Sequence, residues 1–406
     1  MSRLSELMEE MCPDGVEYKR LGDIATITRG GNFQKRDFVS DGRPCIHYGQ
    51  IHTYYGVHTH ETLSMVSPEI FSKSRQAQPG DIVMATTSED VKGVCKCVAW
   101  LGNEPAAVSG HTAIIHHSQN PRYLAYFFQS ETFQVQKKRL AYGVKVVEVK
   151  PADLGDVLVP VPPLEVQAEI VRILDKFTEY IDLITRELSA RRKQYEYYRD
   201  KLLTFSEDTQ RIPITELFTL RNGYTPSKRN PQYWQNGSVS WFRMDDIRTN
   251  GRILSDALQH VTPEAVKGEL FPANSLIIST SATIGEHALI TTDFLANQRF
   301  TVLTLNEDYR ERVSMKFMFY CCYELAKYCR KYTHKGSFES VDMDKFRTFC
   351  FPVPTLDRQN YIVRVLDRFE SLTSSLTQGL PAEIQARRKQ YEYYRDKLLT
   401  FRARED

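Results

Sequence analysis

Four sets of side chains have types and spacings that could do chemistry. Asn120-Pro-Arg-Tyr123 and Asn230-Pro-Gln-Tyr233 could orient an amino group for methyl transfer, but that needs a glycine-rich turn opening a βα unit to cradle a nucleotide cofactor. No such turn is present. Pro13-Asp14 followed by Glu17-Tyr-Lys19 imitates the acidic-basic set of a metal-dependent nuclease, yet the acids lie too close together on a terminal segment. Cys45-x-His47 with His58-x-His60, or Cys95-x-Cys97 with His111, could ligate a metal, but neither spacing matches a zinc site, so core thiols and surface histidines are expected. A Gly-x-x-x-x-Gly-Lys phosphate loop is absent. The chain is therefore expected to perform no bond chemistry and to hold no catalytic residue, metal or cofactor.

What the sequence does carry is a repeat. Ala190-Arg-Arg-Lys-Gln-Tyr-Glu-Tyr-Tyr-Arg-Asp-Lys-Leu-Leu-Thr-Phe205 recurs unchanged from Ala386 to Phe401. A period this long exceeds any solenoid unit and implies two similar domains, for which 406 residues give room. With a formal charge of +2 and no strongly basic segment, a sequence-blind coat on DNA is excluded, while a focused basic face is not. The eight cysteines sit at unmatched positions in the two halves, whereas duplication would have copied a disulfide framework; they read as reduced thiols of a cytoplasmic protein. The N-terminal segment is acidic and no apolar run could span a bilayer, so neither secretion nor a membrane is expected.

The elements that must position any functional residue also come in pairs. Leu21–Gly30 aligns with Ile214–Gly223, each a strand ending in a glycine turn, and Gly80–Thr87 aligns with Ala273–Ser281. Strand-like runs follow at Val94–Trp100 and Ala288–Thr292, then helices over Pro121–Leu140 and Val313–Tyr332, then Gly143 and Gly336 before a short strand. Pro160-Val-Pro-Pro-Leu-Glu-Val-Gln167 and Pro352-Val-Pro-Thr-Leu-Asp-Arg-Gln359 close the modules, since proline continues neither strand nor helix. A helix starts at once: Ile170, Leu174, Phe177, Ile181, Ile184, Leu188, Arg191, Tyr195, Tyr198, Leu202 and Phe205 alternate spacings of four and three, a coiled-coil seam broken only by Arg191. Val166 to Phe205 would make a rod of about 60 Å. The second connector has four extra residues, a stutter of about one turn, and Gly379-Leu-Pro381 predicts a kink or split with Pro381 in a fresh first turn. The expected fold is α+β: two similar mixed α/β modules (1–160 and 206–352) joined by two long antiparallel coiled-coil helices (161–205 and 353–406), with pseudo-two-fold symmetry.

This order, a variable module, a Pro-x-Pro-x-Leu-x-x-Gln exit, a helix ending in the copied block, and all of it again, resembles the specificity (S) subunit of type I restriction-modification enzymes over essentially the whole chain. The opening Cys12-Pro-Asp-Gly-Val-Glu-Tyr18 resembles that family's usual N-terminal segment. The resemblance implies that each module is a target-recognition domain reading one half of a split double-stranded DNA site. It implies that the repeated helices space the two modules and bind two modification subunits. Those partners carry S-adenosylmethionine and methylate adenine, while restriction subunits use ATP and Mg to translocate and cut; no cofactor belongs to this chain.

Basic residues beside turn glycines are the expected DNA contacts: Arg29, Lys35 and Arg36 in the first module, and Arg221, Lys228 and Arg229 at aligned places in the second. Arg243 and Arg248 around Trp241, with Lys145 and Lys335 beside Gly143 and Gly336, form a second tier. In the copied block, Arg191, Arg192, Tyr197 and Arg199, repeated as Arg387, Arg388, Tyr393 and Arg395, have the composition of a partner-binding surface. A solvated charged face is the plain alternative for each of these residues. For the whole chain the alternative is a coiled-coil scaffold joining two ligand-binding domains.

Overall fold

Two proline-bounded exits each lead to a buried, fully hydrogen-bonded glutamine side chain. In the computed structural model, which describes residues 3–334, 339–373 and 379–404, Gln167 and Gln359 are fully buried. The Gln167 amide donates to the Pro162 carbonyl and the Gln119 side chain, both at 2.8 Å, and accepts from the Asn120 backbone N–H at 3.0 Å. Gln359 does the same, donating to the Pro354 and Arg312 carbonyls at 2.8 and 2.9 Å and accepting from the Ser314 N–H at 2.9 Å. Each amide thus ties the start of a connector helix to the start of its module's own helix. Two turns further along, Asp175 takes Arg122 at 2.6 Å and the Tyr126 hydroxyl at 2.7 Å. Asp367 takes Lys316 and Tyr320 at 2.7 and 2.6 Å.

The chain divides into two compact units, residues 1–183 with 385–406, and residues 184–384. Both boundaries fall inside the connectors, so each unit holds one module, the first turns of the helix that follows it, and the copied block contributed by the other connector. The first connector is one helix, Leu164–Leu202. In the second, the helices Leu356–Thr373 and Gly379–Leu398 are described, with Pro381 in the first turn of the latter, while residues 374–378 lie outside the described residues. Gly379 has φ +76°, and a Cβ there would lie 2.5 Å from the Ser371 carbonyl oxygen, so only glycine fits.

In the first unit the central sheet runs in the order Ala25–Arg29, Thr112–His117, Ile82–Ala85, Cys97–Trp100, His58–Thr59, antiparallel except for the last pair. The second unit repeats it as Phe218–Asn222, Phe300–Leu305, Ser275–Ser279, His287–Ile290, Ile253–Leu254 with the same senses. The inner strands of each sheet are buried on both faces, and their side chains alternate between two cores. Ile82, Met84, Ala113 and Ile115 face the helical layer, while Val83, Ala85 and Ile114 face a second sheet. Leu276, Ile278 and Leu303 against Ile277 and Val302 repeat the division. The predicted helix over Pro121–Leu140 is two, Pro121–Phe127 and Glu131–Leu140, because Ser130 adopts an extended backbone and caps the second with its buried hydroxyl, which accepts from the Phe133 N–H. Its counterpart is a single helix, Met315–Lys331.

The copied block packs the same way in both units. Tyr394 stacks on Phe177 with ring centroids 5.5 Å apart, and Tyr198 stacks on Phe369 at 5.6 Å. In the first unit Arg387 lies over Tyr180 while Tyr394 meets Phe177, so the two helices run antiparallel. The end of the second block is then tied to the first module's opening segment: the Val16 N–H donates to the Arg402 carbonyl and the Arg404 N–H to that of Val16, at 2.9 and 3.0 Å.

The Gln anchor gives a direct test. Gln167→Leu keeps the volume but strands a backbone N–H and a carbonyl in a dry site, at about 1–3 kcal/mol each. Urea unfolding of the full chain is expected to show a loss of about 2–4 kcal/mol in the first unit; a loss below 1 kcal/mol would refute the anchor.

Candidate nucleic-acid interface

At one edge of the first unit's central sheet, several turns converge. The Gly30 N–H bonds the Thr112 carbonyl and the Gly31 N–H the Val108 carbonyl, which fixes the segment after Arg29 against the loop 109–112. A Cβ on Gly30 would lie 2.1 Å from the Ser109 carbonyl oxygen, so the close approach requires glycine. The Ser109 hydroxyl accepts from the Tyr48 N–H at 2.9 Å, and His111, held at φ +62°, places its ring 5.4 Å from Tyr48. His47 caps the helix Tyr48–Thr53, its Nδ1 accepting from the Gly49 N–H at 3.1 Å. Burial first, then the charges of Lys35 and His111, push the His47 pKa down to about 4, so the cap is neutral at pH 7. The Thr86 N–H bonds the His111 carbonyl and the Val149 N–H the Thr86 carbonyl, which brings in the hairpin 142–148. Arg29, Lys35, Arg36 and Lys145 are all exposed along this rim.

The second unit rebuilds the frame with other residues. The Gly223 N–H bonds the Phe300 carbonyl, Asn297 bonds Phe242 as Ser109 bonds Ile46, Thr280 bonds Arg299 as Thr86 bonds His111, and Val341 bonds Thr280 as Val149 bonds Thr86. Through these bonds Arg243 stands where His47 stands, Gln298 where Gly110 does, and Arg299 where His111 does. Lys228 and Arg229 are exposed in a loop that the Trp234 and Trp241 indoles hold to the Ser227 and Tyr224 carbonyls, at 3.2 and 3.0 Å. Arg243 is half-buried and ion-paired to Asp245 at 3.2 Å. Arg248 is set apart, in a hollow with Arg252 and Glu286. Lys335 lies outside the described residues.

Arg221 is not the partner of Arg29. Asn222 pairs with Thr301 as Arg29 pairs with Ala113, so Arg221 matches Thr28, and a shift of one residue along a strand turns the side chain to the other face. Its guanidinium lies over the Phe271 ring at 4.7 Å and donates to the Glu269 carbonyl. Asn222, Gln298, Arg299 and His111 are rim residues that the sequence reading missed. Only the Gly-anchored strand register could have pointed to the first.

A family model described as "Type I restriction modification DNA specificity domain" matches residues 13–191 and again 206–386. The chain belongs to that family. It is 54% identical over 213 residues to the type I restriction enzyme EcoprrI specificity subunit of Escherichia coli, covering 50% of this chain and 53% of the relative. It is 39% identical over 254 residues to the EcoR124I/EcoR124II specificity subunit of the same species, covering 60% and 61%. These matches therefore span between about half and three fifths of the relatives' own lengths. In fold it resembles a chain solved in work on complex assembly and conformational transition of the type I R-M system, with TM-score 0.64 and 16% identity over 95% of this chain and 97% of that one. The α+β architecture of paired specificity domains with long connector helices is thus a family property.

The block residues of this specificity-family chain divide into three groups. Arg199 is turned inward, with its side chain 12% exposed and its guanidinium 4.4 Å from the centre of the Tyr323 ring. Arg395 is likewise 13% exposed, beside Asp396 and the Tyr391 ring. Both therefore depart from the expected partner-binding role, because a flat guanidinium over a buried ring is more stable than one left in water. Arg191 and Arg387 are half-buried and donate to Gln194 and Gln390, each at 3.0 Å. Arg192, Tyr197, Arg388 and Tyr393 remain exposed, and Lys193 with Glu196 and Lys389 with Glu392 complete the same stripe.

The fragments that imitate catalytic motifs have structural roles. Asn120 caps a helix, its side chain accepting from the Arg122 and Tyr123 N–H groups with Pro121 in the first turn, and Asn230 caps the turn Pro231–Trp234. Glu17 pairs with Lys19 at 3.1 Å. Cys45 and Cys95 are buried, and burial pushes their thiols up to about 12. Among the described residues no group of three or more His, Cys, Asp or Glu could hold a metal ion, and no helix is long and apolar enough to cross a membrane.

Two buried imidazoles set a pH dependence. His47 is lowered to about 4 and His287 to about 3, chiefly by desolvation, below the ordinary 6.5. The unfolded chain binds these protons first, so stability is full above pH 6.5 and falls below it, by about 1.4 kcal/mol per pH unit for each group. The melting temperature is expected to drop between pH 7.5 and 5.5, and less so in His287→Gln. A flat profile over that range would contradict the assignment.

Proposed function

We propose that this chain is the non-catalytic, DNA-reading subunit of a type I restriction-modification complex, with one target-recognition module (1–160 and 206–352) for each half of a bipartite site. The observation that carries this reading is a shared hydrogen-bonded frame with different rim residues: His47, Gly110, His111 and Arg29 in one unit against Arg243, Gln298, Arg299 and Asn222 in the other. An identical frame with exchanged donors and acceptors is what two readers of different base sequences need. Basic residues along each rim supply phosphate contacts, and the near-neutral total charge leaves further neutralisation to partners.

In this reading the exposed stripes Arg192–Tyr197 and Arg388–Tyr393 dock two modification subunits, since arginine and tyrosine presented together suit a protein interface. In the first unit the stripe borders a cleft of about 990 Å³ lined by Lys92, Lys96 and Arg388 among others. S-adenosylmethionine, ATP and Mg belong to those modification subunits and to restriction subunits, which methylate and cut, and the assembly works in the cytoplasm.

Replacing residues 1–160 with the corresponding module of a relative is expected to change one half-site in the methylome of a host strain and leave the other. A change in both halves would sink the two-reader assignment. Adding four residues to either connector should alter the unread spacer and not the half-site letters, read by the same sequencing. Tyr197→Ala combined with Tyr393→Ala should weaken capture of modification subunits by about 30-fold or more, as loss of a tyrosine anchor does at other interfaces, with the melting temperature unchanged. Undiminished capture would remove the stripe from the interface.

A further inference from the structure

The hairpin 142–148 presents apolar side chains to solvent from a rigid mount. Val144 is 97% exposed, and Val146 and Tyr142 are largely open beside it. Tyr142 and Glu148 exchange both backbone hydrogen bonds, at 3.0 and 2.9 Å, and the Tyr142 hydroxyl donates to the Glu148 carboxylate at 3.0 Å. Below them Val147 is buried, and the strand Val147–Glu148 pairs with Thr87–Ser88. Gly143 turns the tip at φ +101°, where a Cβ would lie 2.1 Å from the Val146 carbonyl oxygen. A lone exposed valine is ordinary; one held at the tip of a fixed hairpin among cations is not. Lys145 adjoins it, Lys150 lies 5.6 Å from the centre of the Tyr142 ring, and the Arg29 charge bears on the same tyrosine.

We propose that this tip enters the major groove, that Val144 reads a thymine through its C5-methyl group, and that Lys145 takes the neighbouring phosphate. The inference rests on the DNA-reading assignment and deepens it. Cations around an apolar point match an anionic surface with an apolar spot. In duplex DNA that spot is the thymine methyl, displayed only in the major groove. The groove's width decides the same way: about 12 Å admits a two-stranded hairpin, whereas the minor groove, at about 6 Å, does not.

The test uses the full chain assembled with its modification subunits on duplexes carrying the recognised site, with each thymine replaced in turn by deoxyuridine, which lacks only the methyl group. In the unaltered complex one replacement, in the half-site read by the first unit, is expected to weaken binding about four-fold, the worth of one buried methyl-sized group. In the Val144→Ala complex the same replacement should have no effect. Lys145→Ala should lower affinity for all duplexes alike and reduce the salt slope by about 1. The proposal is overturned if no thymine in that half-site is sensitive, or if the sensitivity persists in Val144→Ala. If the unaltered complex shows no preference for any bipartite duplex over random sequence, the DNA-reading assignment itself fails and this inference with it. Val144→Ala should melt with the unaltered chain, since the side chain is almost wholly in solvent.

Discussion

Each unit depends on one buried amide. A long helix joined to a sheet module by a few residues could swing or slide, because an apolar seam accepts more than one register. The amide of Gln167 or Gln359 removes that freedom. It donates to carbonyls on both sides of the joint and accepts the backbone N–H at the start of the module's helix. Asp175 and Asp367, two turns further along, add a second polar point through Tyr126 and Tyr320. Two polar fixings on one helix face set its direction, and the aromatic and aliphatic seam then supplies burial. Polar groups of this kind cost stability when unpaired, so they penalise every other arrangement.

The copied block owes its identity to two causes that the structure separates. Tyr195 and Tyr391 with Arg199 and Arg395 face inward, and Tyr198 and Tyr394, partly exposed, stack on surfaces that are themselves repeated, Phe369 and Phe177. Internal packing is enough to account for them. Asp200 and Asp396 show that this packing is not rigidly alike: one takes Lys327, the other the Glu131 N–H. The outward stripe of Arg192, Lys193, Glu196 and Tyr197 has no such internal explanation. On the proposed reading, a binding surface presented twice supplies one.

Much of this was legible in the sequence where local rules act. Glycine turns, the strand-like runs they bound, proline exits and the fresh helix start at Gly379-Leu-Pro381 each follow from backbone sterics. The split at Ser130 was not legible, because an uncharged Gln-Ser pair carries little breaking power until its hydroxyl finds the Phe133 N–H. Arg199 misled for a different reason: its ring partner, Tyr323, is far away in the sequence, so composition alone reads the charge as exposed. Arg221 failed by a single residue of strand register, which reverses the face. Among the rim residues, His111 and Arg299 lie on loops with no shared motif, and only the backbone bonds from Thr86 and Thr280 identify them as counterparts.

The two rims also differ in kind. His47 is kept neutral by burial and by the cations beside it, whereas Arg243 and Arg299 in the second unit carry permanent charge. The His47 acceptor nitrogen is already taken by the Gly49 N–H, while a guanidinium offers only donors, in a planar fork that suits the paired acceptors of a guanine edge. On the proposed reading, the first unit discriminates through the apolar tip at Val144. The second discriminates more by charged forks, and exposed cations on both rims share the salt-sensitive phosphate contacts. One backbone frame can hold both, because the hydrogen bonds the two units share, such as those of Gly30 and Gly223 and of Thr86 and Thr280, are made by main-chain groups.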